Sequence, residues 1–322
     1  MNILIFGKDG QLGLAFKSIF VPKKMDDLHH IYYLGRSDCD LTSPTAILRI
    51  LNLCNPKLII NAAAYTAVDR AQTEDDLAFS INAKAPAVMA RYALENGATF
   101  LHYSTDYVFD GTKKGPYEET DVRNPLSVYG KSKVAGEEAI EAIFNANQNI
   151  DQSSETRAQF AILRTSWLYG QGTNFIRTIL RLAKERTTLK IISDQSGVPT
   201  SAAWLATIST ALILNDKQQL KAFPSGIYHA VPHGETTWYN LACYVVQVAI
   251  DAGAELSLSP HGIEPIPTTD YPLPAPRPKN SRMKRLALEA CLDNMTKLQL
   301  FHQPWEQQVA TYVQDLILHE RI

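Results

Sequence analysis

The chain has 322 residues, of which 45% are hydrophobic and 20% charged, the composition of a globular protein with a sizeable core. Its length suits one large domain or two unequal ones. The formal net charge of -2 shows no basic excess, so nothing in the overall charge predicts binding to nucleic acid or to an anionic membrane surface.

Two features indicate the compartment. Cysteines 39, 54, 243 and 291 are widely spaced and form no C-x-x-C or metal-ligand pattern, so we expect reduced thiols and no zinc site. The apolar segment before Gly7 is too short for a signal peptide, and no stretch reaches membrane-spanning length. We therefore expect a cytoplasmic protein without a membrane partner.

The first predicted strand, Asn2–Phe6, leads into a glycine turn and then a helix. The glycines have the spacing G-x-x-G-x-x-G. In a dinucleotide site the first glycine allows a tight turn, the second lets a pyrophosphate approach the backbone, and the third lets the helix pack closely on the strand. The glycines could also form an ordinary loop, but their place after the first strand favours a dinucleotide site. The predicted contacts are Gly7, Asp9, Gly10, Gln11, Leu12 and Gly13.

The second predicted strand, His30–Leu34, ends where an NAD-selective site commonly carries an acidic residue for the ribose 2'-hydroxyl. Arg36 stands there instead, and a guanidinium can bind a 2'-phosphate. We therefore predict that NADPH is preferred and that NADH can be used, although Arg36 could equally be a solvated turn residue. Asp40 is placed to approach adenine, with Leu41 beside it.

The third predicted strand ends in small residues, as expected where a backbone passes closely beneath a cofactor. We predict that ribose and phosphate contact Ala62, Ala63, Ala64 and Thr66. Simple packing of strand against loop would give the same pattern. A helix is predicted from about residue 75 to residue 96, with Asn82 on it.

The fourth predicted strand ends at Ser104 and Thr105, which puts a hydroxyl at the carboxyl end of a strand, where open α/β sheets bind ligands. Thr105 could polarise a carbonyl oxygen there. Tyr129 and Lys133 follow at i,i+4 spacing, so a helix would present both on one face. A nearby ammonium favours phenolate, and we predict that Lys133 lowers the pKa of Tyr129. Such a pair also occurs by chance in many helices.

Strands and helices alternate up to Gly170, which predicts an α/β fold with a Rossmann-type, doubly wound parallel sheet. We predict an NAD(P)-binding domain over residues 1–170 and a smaller, mainly substrate-binding α/β region over 171–322, part of which could return to the first domain. The polar composition of segment 145–159 predicts a surface insertion. The proline-rich segment 271–278 reads as a rigid loop, in which Arg277 could bind a substrate phosphate or pair with backbone carbonyls.

Taken together, these motifs resemble the extended short-chain dehydrogenases/reductases, and more closely their dTDP-4-dehydrorhamnose reductase family. The resemblance runs nearly end to end. Its blocks are Gly7–Gly13, Asn61–Asp69, Ser104–Gly111, Tyr129–Lys133, Arg164–Trp167 and Arg277–Ser281.

The resemblance implies reduction of the C4 ketone of a dTDP-linked 4-keto-6-deoxyhexose, with Thr105, Tyr129 and Lys133 as the catalytic residues. Tyr129 would donate the proton, and Lys133 would also bind the nicotinamide ribose. The predicted substrate contacts are Asp106, Tyr107, Trp167, Asn174 and Arg277.

The sequence departs from the family at one site. Some members bind magnesium at a dimer interface through three glutamates, and the matching positions here are Ala15, Ala203 and Glu306. A divalent cation of this kind needs several oxygen ligands, so we expect no Mg²⁺ site and a monomer or weak homodimer.

Two other functions fit the same motifs. A nucleotide-sugar epimerase would share the fold but keep its NAD tightly bound, which the NADPH preference predicted from Arg36 opposes. The chain also resembles the regulatory β subunit of methionine adenosyltransferase, a binding partner rather than a catalyst. The presence of Thr105, Tyr129 and Lys133 together favours catalysis.

Overall fold

A computed structural model describes residues 1–146 and 158–319. Most of the predicted insertion 145–159 therefore lies outside the described residues. The strands are β1 (Asn2–Phe6), β2 (His30–Leu34), β3 (Leu58–Asn61), β4 (Thr99–Thr105), β5 (Gln159–Thr165), β6 (Leu168–Tyr169), β7 (Leu189–Ile192), β8 (Ser196–Gly197), β9 (Thr200–Ser201), β10 (Gly226–His229), β11 (Thr236–Thr237) and β12 (Ile263–Ile266). The helices are α1 (Gln11–Phe20), α2 (Met25–Leu28), α3 (Pro44–Cys54), α4 (Asp75–Phe79), α5 (Ala85–Glu95), α6 (Val128–Asn145), α7 (Phe175–Glu185), α8 (Ala202–Ile213), α9 (Trp238–Asp251), α10 (Leu286–Ala290), α11 (Asn294–Phe301) and α12 (Trp305–Leu318).

A six-stranded sheet with the order β10-β5-β4-β3-β1-β2 organises the fold. Every pairing in it is parallel. The order reverses between β1 and β3, and ligands of open parallel sheets bind outside the carboxyl ends of the strands at such a reversal. The predicted α/β fold with a Rossmann-type parallel sheet is confirmed, and the reversal places its ligand site between the ends of β1 and β3.

The two faces of the sheet carry separate apolar cores because alternate strand residues point to opposite sides. On β1, Ile3 and Ile5 pack toward α1 and α8, whereas Leu4 and Phe6 pack toward α3 and α5. All four are almost completely buried. Strands buried on both faces read as continuous apolar runs, which explains the sequence of β1.

The helix predicted over residues 75–96 is present but is not uniform. A π-helical segment, Ser80–Lys84, separates α4 from α5. Within it the buried Asn82 amide accepts a hydrogen bond from the Tyr65 N–H at 2.8 Å and donates to the Tyr65 carbonyl at 3.0 Å. These two hydrogen bonds hold the segment that follows β3 in place. The widened turn could not be predicted, because helical periodicity does not reveal one inserted residue.

The C-terminal half divides between the sheet and a second core. Strand β10 lies at one edge of the sheet, and α8 packs against α1. Helices α7, α9 and α12 enclose the second core together with Leu189 on β7 and Ile263 on β12. Among the residues that the structure describes, no helix is both long and apolar enough to cross a bilayer.

A buried ion pair joins α6 to the sheet. Both oxygens of Glu137 accept hydrogen bonds from Arg164 on β5, at 2.9 and 2.7 Å, and both side chains are fully buried. Arg123 adds a contact to Glu137 at 2.9 Å. Removing one partner of such a pair leaves the other charge buried without compensation, and this cost is large.

We expect Glu137→Gln to lower the free energy of unfolding by about 3 to 5 kcal/mol, because it leaves the buried Arg164 guanidinium uncompensated. Urea denaturation followed by circular dichroism measures the change. Glu185→Gln is the matched control, since Glu185 forms an exposed pair with Arg181 and should change stability by less than about 0.5 kcal/mol. Equal losses in the two variants would contradict the expectation.

Candidate active site

A cavity of about 960 Å³ opens at the carboxyl ends of the strands, between the glycine turn after β1 and the start of α6. Its size suits a bound small molecule or cofactor. The structure brings together in its wall most of the residues singled out from the sequence: Gly7, Asp9, Gly10, Gln11, Leu12, Arg36, Asp40, Leu41, Ala62, Ala63, Ala64, Thr66, Thr105, Asp106, Tyr107, Tyr129, Lys133 and Trp167.

The glycine turn is shaped by close backbone contacts. Gly7 has φ +89°, which side chains rarely adopt, and a Cβ on it would lie 2.7 Å from the Ala63 nitrogen. A Cβ on Gly13 would lie only 2.1 Å from the Gly7 carbonyl oxygen. Gly13 therefore lies behind the cavity wall, where it lets α1 pack against the turn.

The far end of the cavity holds the residues that follow β2. Arg36 is exposed there, and Asp40 accepts hydrogen bonds from the backbone N–H and hydroxyl of Thr42, at 2.9 and 2.8 Å. These bonds lower the pKa of Asp40. Lys8 and Asp38 form an ion pair at 2.6 Å on the same side. This end of the cavity thus offers a charged, accessible rim to a ligand.

The hydroxyl of Thr105 is held at the end of β4. Thr105 Oγ1 donates to Asp106 Oδ1 at 3.0 Å and accepts from the Tyr107 N–H at 3.2 Å. Ser281, which reaches the site from the C-terminal half, donates to the other Asp106 oxygen. Burial raises the pKa of Asp106 to about 6, although the bonds from Ser281 and Thr105 oppose this.

Helix α6 brings Tyr129 to Thr105. Ser127 caps the helix by accepting a hydrogen bond from the Gly130 N–H at 3.2 Å. A Cβ on Gly130 would lie 2.3 Å from the Tyr107 carbonyl oxygen, so glycine allows the first turn of α6 to lie against the segment after β4. Tyr129 is buried and packs edge-to-face with Tyr107 at 5.5 Å between ring centroids.

The lowering of the Tyr129 pKa by Lys133 stays a prediction. Burial raises the pKa of Tyr129 to about 12, a hydrogen bond with Thr105 lowers it, and the Asp106 charge raises it further. The ammonium of Lys133 instead donates to the Tyr103 carbonyl at 2.6 Å. Helical spacing places the two side chains on one face but does not determine where the lysine nitrogen points.

Lys133 itself lies in an almost fully buried site. Its nitrogen is 3.3 Å from Nε2 of His102, in addition to the bond with the Tyr103 carbonyl. Burial lowers the pKa of Lys133 to about 8, although the Glu137 carboxylate opposes this shift. Lys133 can therefore exchange a proton close to neutral pH.

Several buried polar atoms in the cavity wall have no hydrogen-bond partner among the described residues. They are Gln11 Oε1, Ser104 Oγ and Thr165 Oγ1. Buried polar atoms are normally hydrogen-bonded, so such atoms on a cavity wall indicate a polar ligand. Together with the open glycine turn, they fit a bound dinucleotide.

Two tryptophans form the opposite wall of the cavity. Trp167 has φ +48°, a left-handed conformation that is strained for a bulky residue, and its ring stacks on Trp238 with centroids 3.7 Å apart. Trp238 is absent from the predicted site. It begins a helix far along the chain, and only its type, an aromatic residue after two threonines, could have suggested it.

Two predicted substrate residues lie outside the cavity wall. Asn174 caps α7 and donates to the carbonyl of Gly170 at 2.8 Å. Arg277 pairs with both oxygens of Asp69, at 3.0 and 2.8 Å, and donates to the Ala275 carbonyl at 2.7 Å. The carbonyl contact is the structural alternative considered for Arg277. A substrate contact by either residue stays a prediction.

No cluster of three or more His, Cys, Asp or Glu side chains that could hold a metal ion occurs within residues 1–146 and 158–319. Of the positions that match the family's magnesium ligands, Ala15 and Ala203 lack a ligating side chain.

Comparison with known proteins gives a consistent result. A family model described as the RmlD substrate binding domain matches residues 1–318. A dTDP-4-dehydrorhamnose reductase of Escherichia coli K12 is 42% identical over 290 residues, covering 88% of this chain and 89% of that protein.

Two crystal structures of other proteins named dTDP-4-dehydrorhamnose reductase have the same fold as this chain. That from Clostridium acetobutylicum is 33% identical with a TM-score of 0.82, covering 99% of this chain and 100% of that one. That from Bacillus anthracis, solved in complex with NADP, is 30% identical with a TM-score of 0.77, covering 97% and 98%.

We expect Gly13→Ala to weaken NADPH binding at least tenfold, because the added methyl group would force α1 away from the glycine turn. Fluorescence titration with NADPH measures the dissociation constant. Gly115→Ala is the control, since a Cβ there meets nothing within 4 Å. If Gly13→Ala bound NADPH as tightly as Gly115→Ala, the packing role of Gly13 would be refuted.

Proposed function

The chain belongs to the RmlD substrate-binding-domain family, and from that premise we propose that it reduces dTDP-4-dehydro-6-deoxy-L-mannose at C4. The product is dTDP-L-rhamnose, so the step is the last in making this nucleotide sugar. The observation that carries the proposal is the contact of Tyr129 with Thr105 in the wall of the cavity that also holds the glycine turn.

A dinucleotide would be held by the glycine turn, the alanines after β3, and Lys133. When bound, the reduced nicotinamide supplies the hydride that converts the C4 ketone to an alcohol. The protein residues supply the proton and the orientation. The backbone N–H groups at the start of α1 favour the pyrophosphate there.

Tyr129 is the proposed general acid, which gives its phenolic proton to the oxygen at C4. The Tyr129 phenol is protonated at neutral pH, and its hydrogen bond with Thr105 opposes the rise in pKa that burial causes. Thr105 is proposed to orient the ketone by turning its hydroxyl proton from Asp106 to the ketone oxygen, while the Tyr107 N–H holds Thr105 Oγ1 in place. Lys133 contributes positive charge beside the site below about pH 8.

The sugar is proposed to lie between Asp106, Tyr107 and the Trp167–Trp238 pair. Tryptophan faces suit the apolar side of a hexose, and Asp106 offers a hydrogen-bonding group to its hydroxyls. These aromatic walls would also exclude water from the reacting carbon.

The direct test is the absorbance of NADPH, and then of NADH, mixed with the protein and substrate made in situ by the preceding enzymes. Loss of absorbance with formation of dTDP-L-rhamnose is the expected result. Bound cofactor without turnover would instead favour a regulatory subunit. Cofactor that stays bound through purification and is regenerated would favour an epimerase.

We expect Tyr129→Phe to reduce kcat by about 10²- to 10⁴-fold, because positioned proton transfer contributes on that scale. The dissociation constant for NADPH should change little. Tyr92→Phe removes another buried tyrosine hydroxyl, on α5 and away from the cavity, and serves as control. A rate for Tyr129→Phe near that of Tyr92→Phe would rule out Tyr129 as the acid.

We propose that NADPH is the preferred cofactor because the exposed guanidinium of Arg36 lies at the cavity rim after β2. Arg36→Ala should raise the KM for NADPH about tenfold and leave that for NADH nearly unchanged, since NADH has no 2'-phosphate. Arg181→Ala removes the same charge at an exposed position on α7 and should affect neither cofactor. Equal effects on the two cofactors would exclude a 2'-phosphate contact.

We also propose that the chain functions as a monomer or weak homodimer without magnesium, because Ala15 and Ala203 supply no oxygen ligands. Sedimentation equilibrium with and without Mg²⁺ should give the same mass. A dimer that forms only with magnesium would overturn this proposal.

A further inference from the structure

Behind Lys133 lies a row of buried polar side chains that the proposed mechanism does not use. Asn61 ends β3 and is paired in register with His102 on β4. Asn61 Nδ2 is 3.1 Å from His102 Nδ1, and His102 Nε2 is 3.3 Å from Lys133 Nζ. All three side chains are at least 98% buried, with exposed fractions of 1%, 0% and 2%. Because these groups are buried, each contact in the row must pair one hydrogen-bond donor with one acceptor.

The Asn61 amide determines which atoms donate and which accept hydrogen bonds along the row. Its oxygen accepts a hydrogen bond from the Ala63 N–H at 3.3 Å. Its NH₂ group therefore faces His102 Nδ1 and donates to it, so Nδ1 carries no proton. Since a neutral imidazole has one N–H, the proton of His102 is on Nε2 and points at Lys133.

His102 stays neutral in this position. Burial holds the pKa of the imidazole well below its usual range, and a charge on Lys133 lowers it further. A neutral imidazole with its proton on Nε2 presents a donor to Lys133. An ammonium has only donors, whereas a neutral amine has a lone pair that can accept.

We propose that Asn61 and His102 are positioning residues that, together with burial, set the protonation state of Lys133, because the Nε2–H of His102 favours the neutral amine. In that state Lys133 donates to the Tyr103 carbonyl and accepts from His102, so every group in the row is paired. The opposite imidazole tautomer would satisfy an ammonium but would set Nδ1–H against the Asn61 amide. The role rests on the proposed function only in taking Lys133 as catalytic.

The other ionisable groups around Lys133 do not produce this preference. Glu137, one turn further along α6, favours the ammonium, but Arg164 and Arg123 compensate its charge. Asp106 raises the pKa of Tyr129, which lies one turn before Lys133. Burial favours the neutral amine as well, and among the described residues His102 adds to this preference as the side chain that lies 3.3 Å from the lysine nitrogen and presents a donor to it.

The imidazole can be examined without substrate by long-range ¹H–¹⁵N NMR on labelled protein, with His102→Gln used to assign its signals. We expect the Nε2–H tautomer, and ring shifts that titrate with Lys133 at about pH 8. The Nδ1–H tautomer would overturn the proposal whether or not the protein turns over a dTDP sugar. Absence of turnover with the expected tautomer would instead refute the proposed function.

Asn61→Asp should reverse the direction of the hydrogen bonds along the row. A carboxylate accepts from Nδ1–H, which leaves Nε2 bare to accept from an ammonium. The NMR spectrum should show the opposite tautomer, and the fall of kcat/KM at alkaline pH should move upward by about one pH unit. Asn82→Asp adds a buried carboxylate that does not contact His102 and should leave the tautomer unchanged.

His102→Gln provides a second variant if Asn61→Asp fails to fold. A glutamine amide can turn its oxygen toward the ammonium, so the alkaline limb of kcat/KM should again move to higher pH. The KM for NADPH below pH 7 should change little, because Lys133 is then charged in both proteins. An alkaline limb unchanged from that of the parent protein would contradict a role for His102.

Discussion

The close approach of α6 to the carboxyl end of β4 is the constraint on which the site depends. Gly130 permits this approach, since any side chain there would meet the Tyr107 carbonyl. The buried pair of Glu137 with Arg164 holds the same helix to β5. Tyr129, Lys133 and Glu137 are spaced four residues apart, so one helical face carries both the anchor and the proposed chemistry. Loosening the anchor would therefore move the acid away from Thr105.

Burial then determines the charge states at this face. It disfavours the charged form of each group, which raises the pKa of Tyr129 to about 12 and lowers that of Lys133 to about 8. The phenol thus keeps its proton at neutral pH, while the lysine can change its charge near the working pH. For the proposed reaction the phenol is protonated and can donate, and its hydrogen bond with Thr105 opposes the rise in pKa that would make it a weaker acid.

The sequence predicts the parts of the site that depend on local pattern. The glycine turn, the alanines after β3 and the threonine ending β4 follow from their positions relative to strands, and the cavity wall contains them. Contacts between distant segments were not predictable. Trp238 meets Trp167 only in the folded chain, and the Lys133 nitrogen points to the Tyr103 carbonyl on another element. His102 carried a local signal, a polar residue within the apolar strand before Thr105, whose meaning depended on Asn61 in the neighbouring strand.

The two ends of the cavity differ in how the chain constructs them, and this difference bears on specificity. The cofactor end comes from loops that directly follow parallel strands, a geometry common to doubly wound sheets with many activities. The proposed sugar end combines Trp167, strained just after β5, with Trp238 from the C-terminal half and Ser281 behind Asp106. Because these contacts come from segments outside the sheet, substitutions there can change the accepted sugar while the dinucleotide end is preserved. The loops after the parallel strands therefore suit a dinucleotide, whereas the choice of sugar is proposed to depend on the aromatic wall.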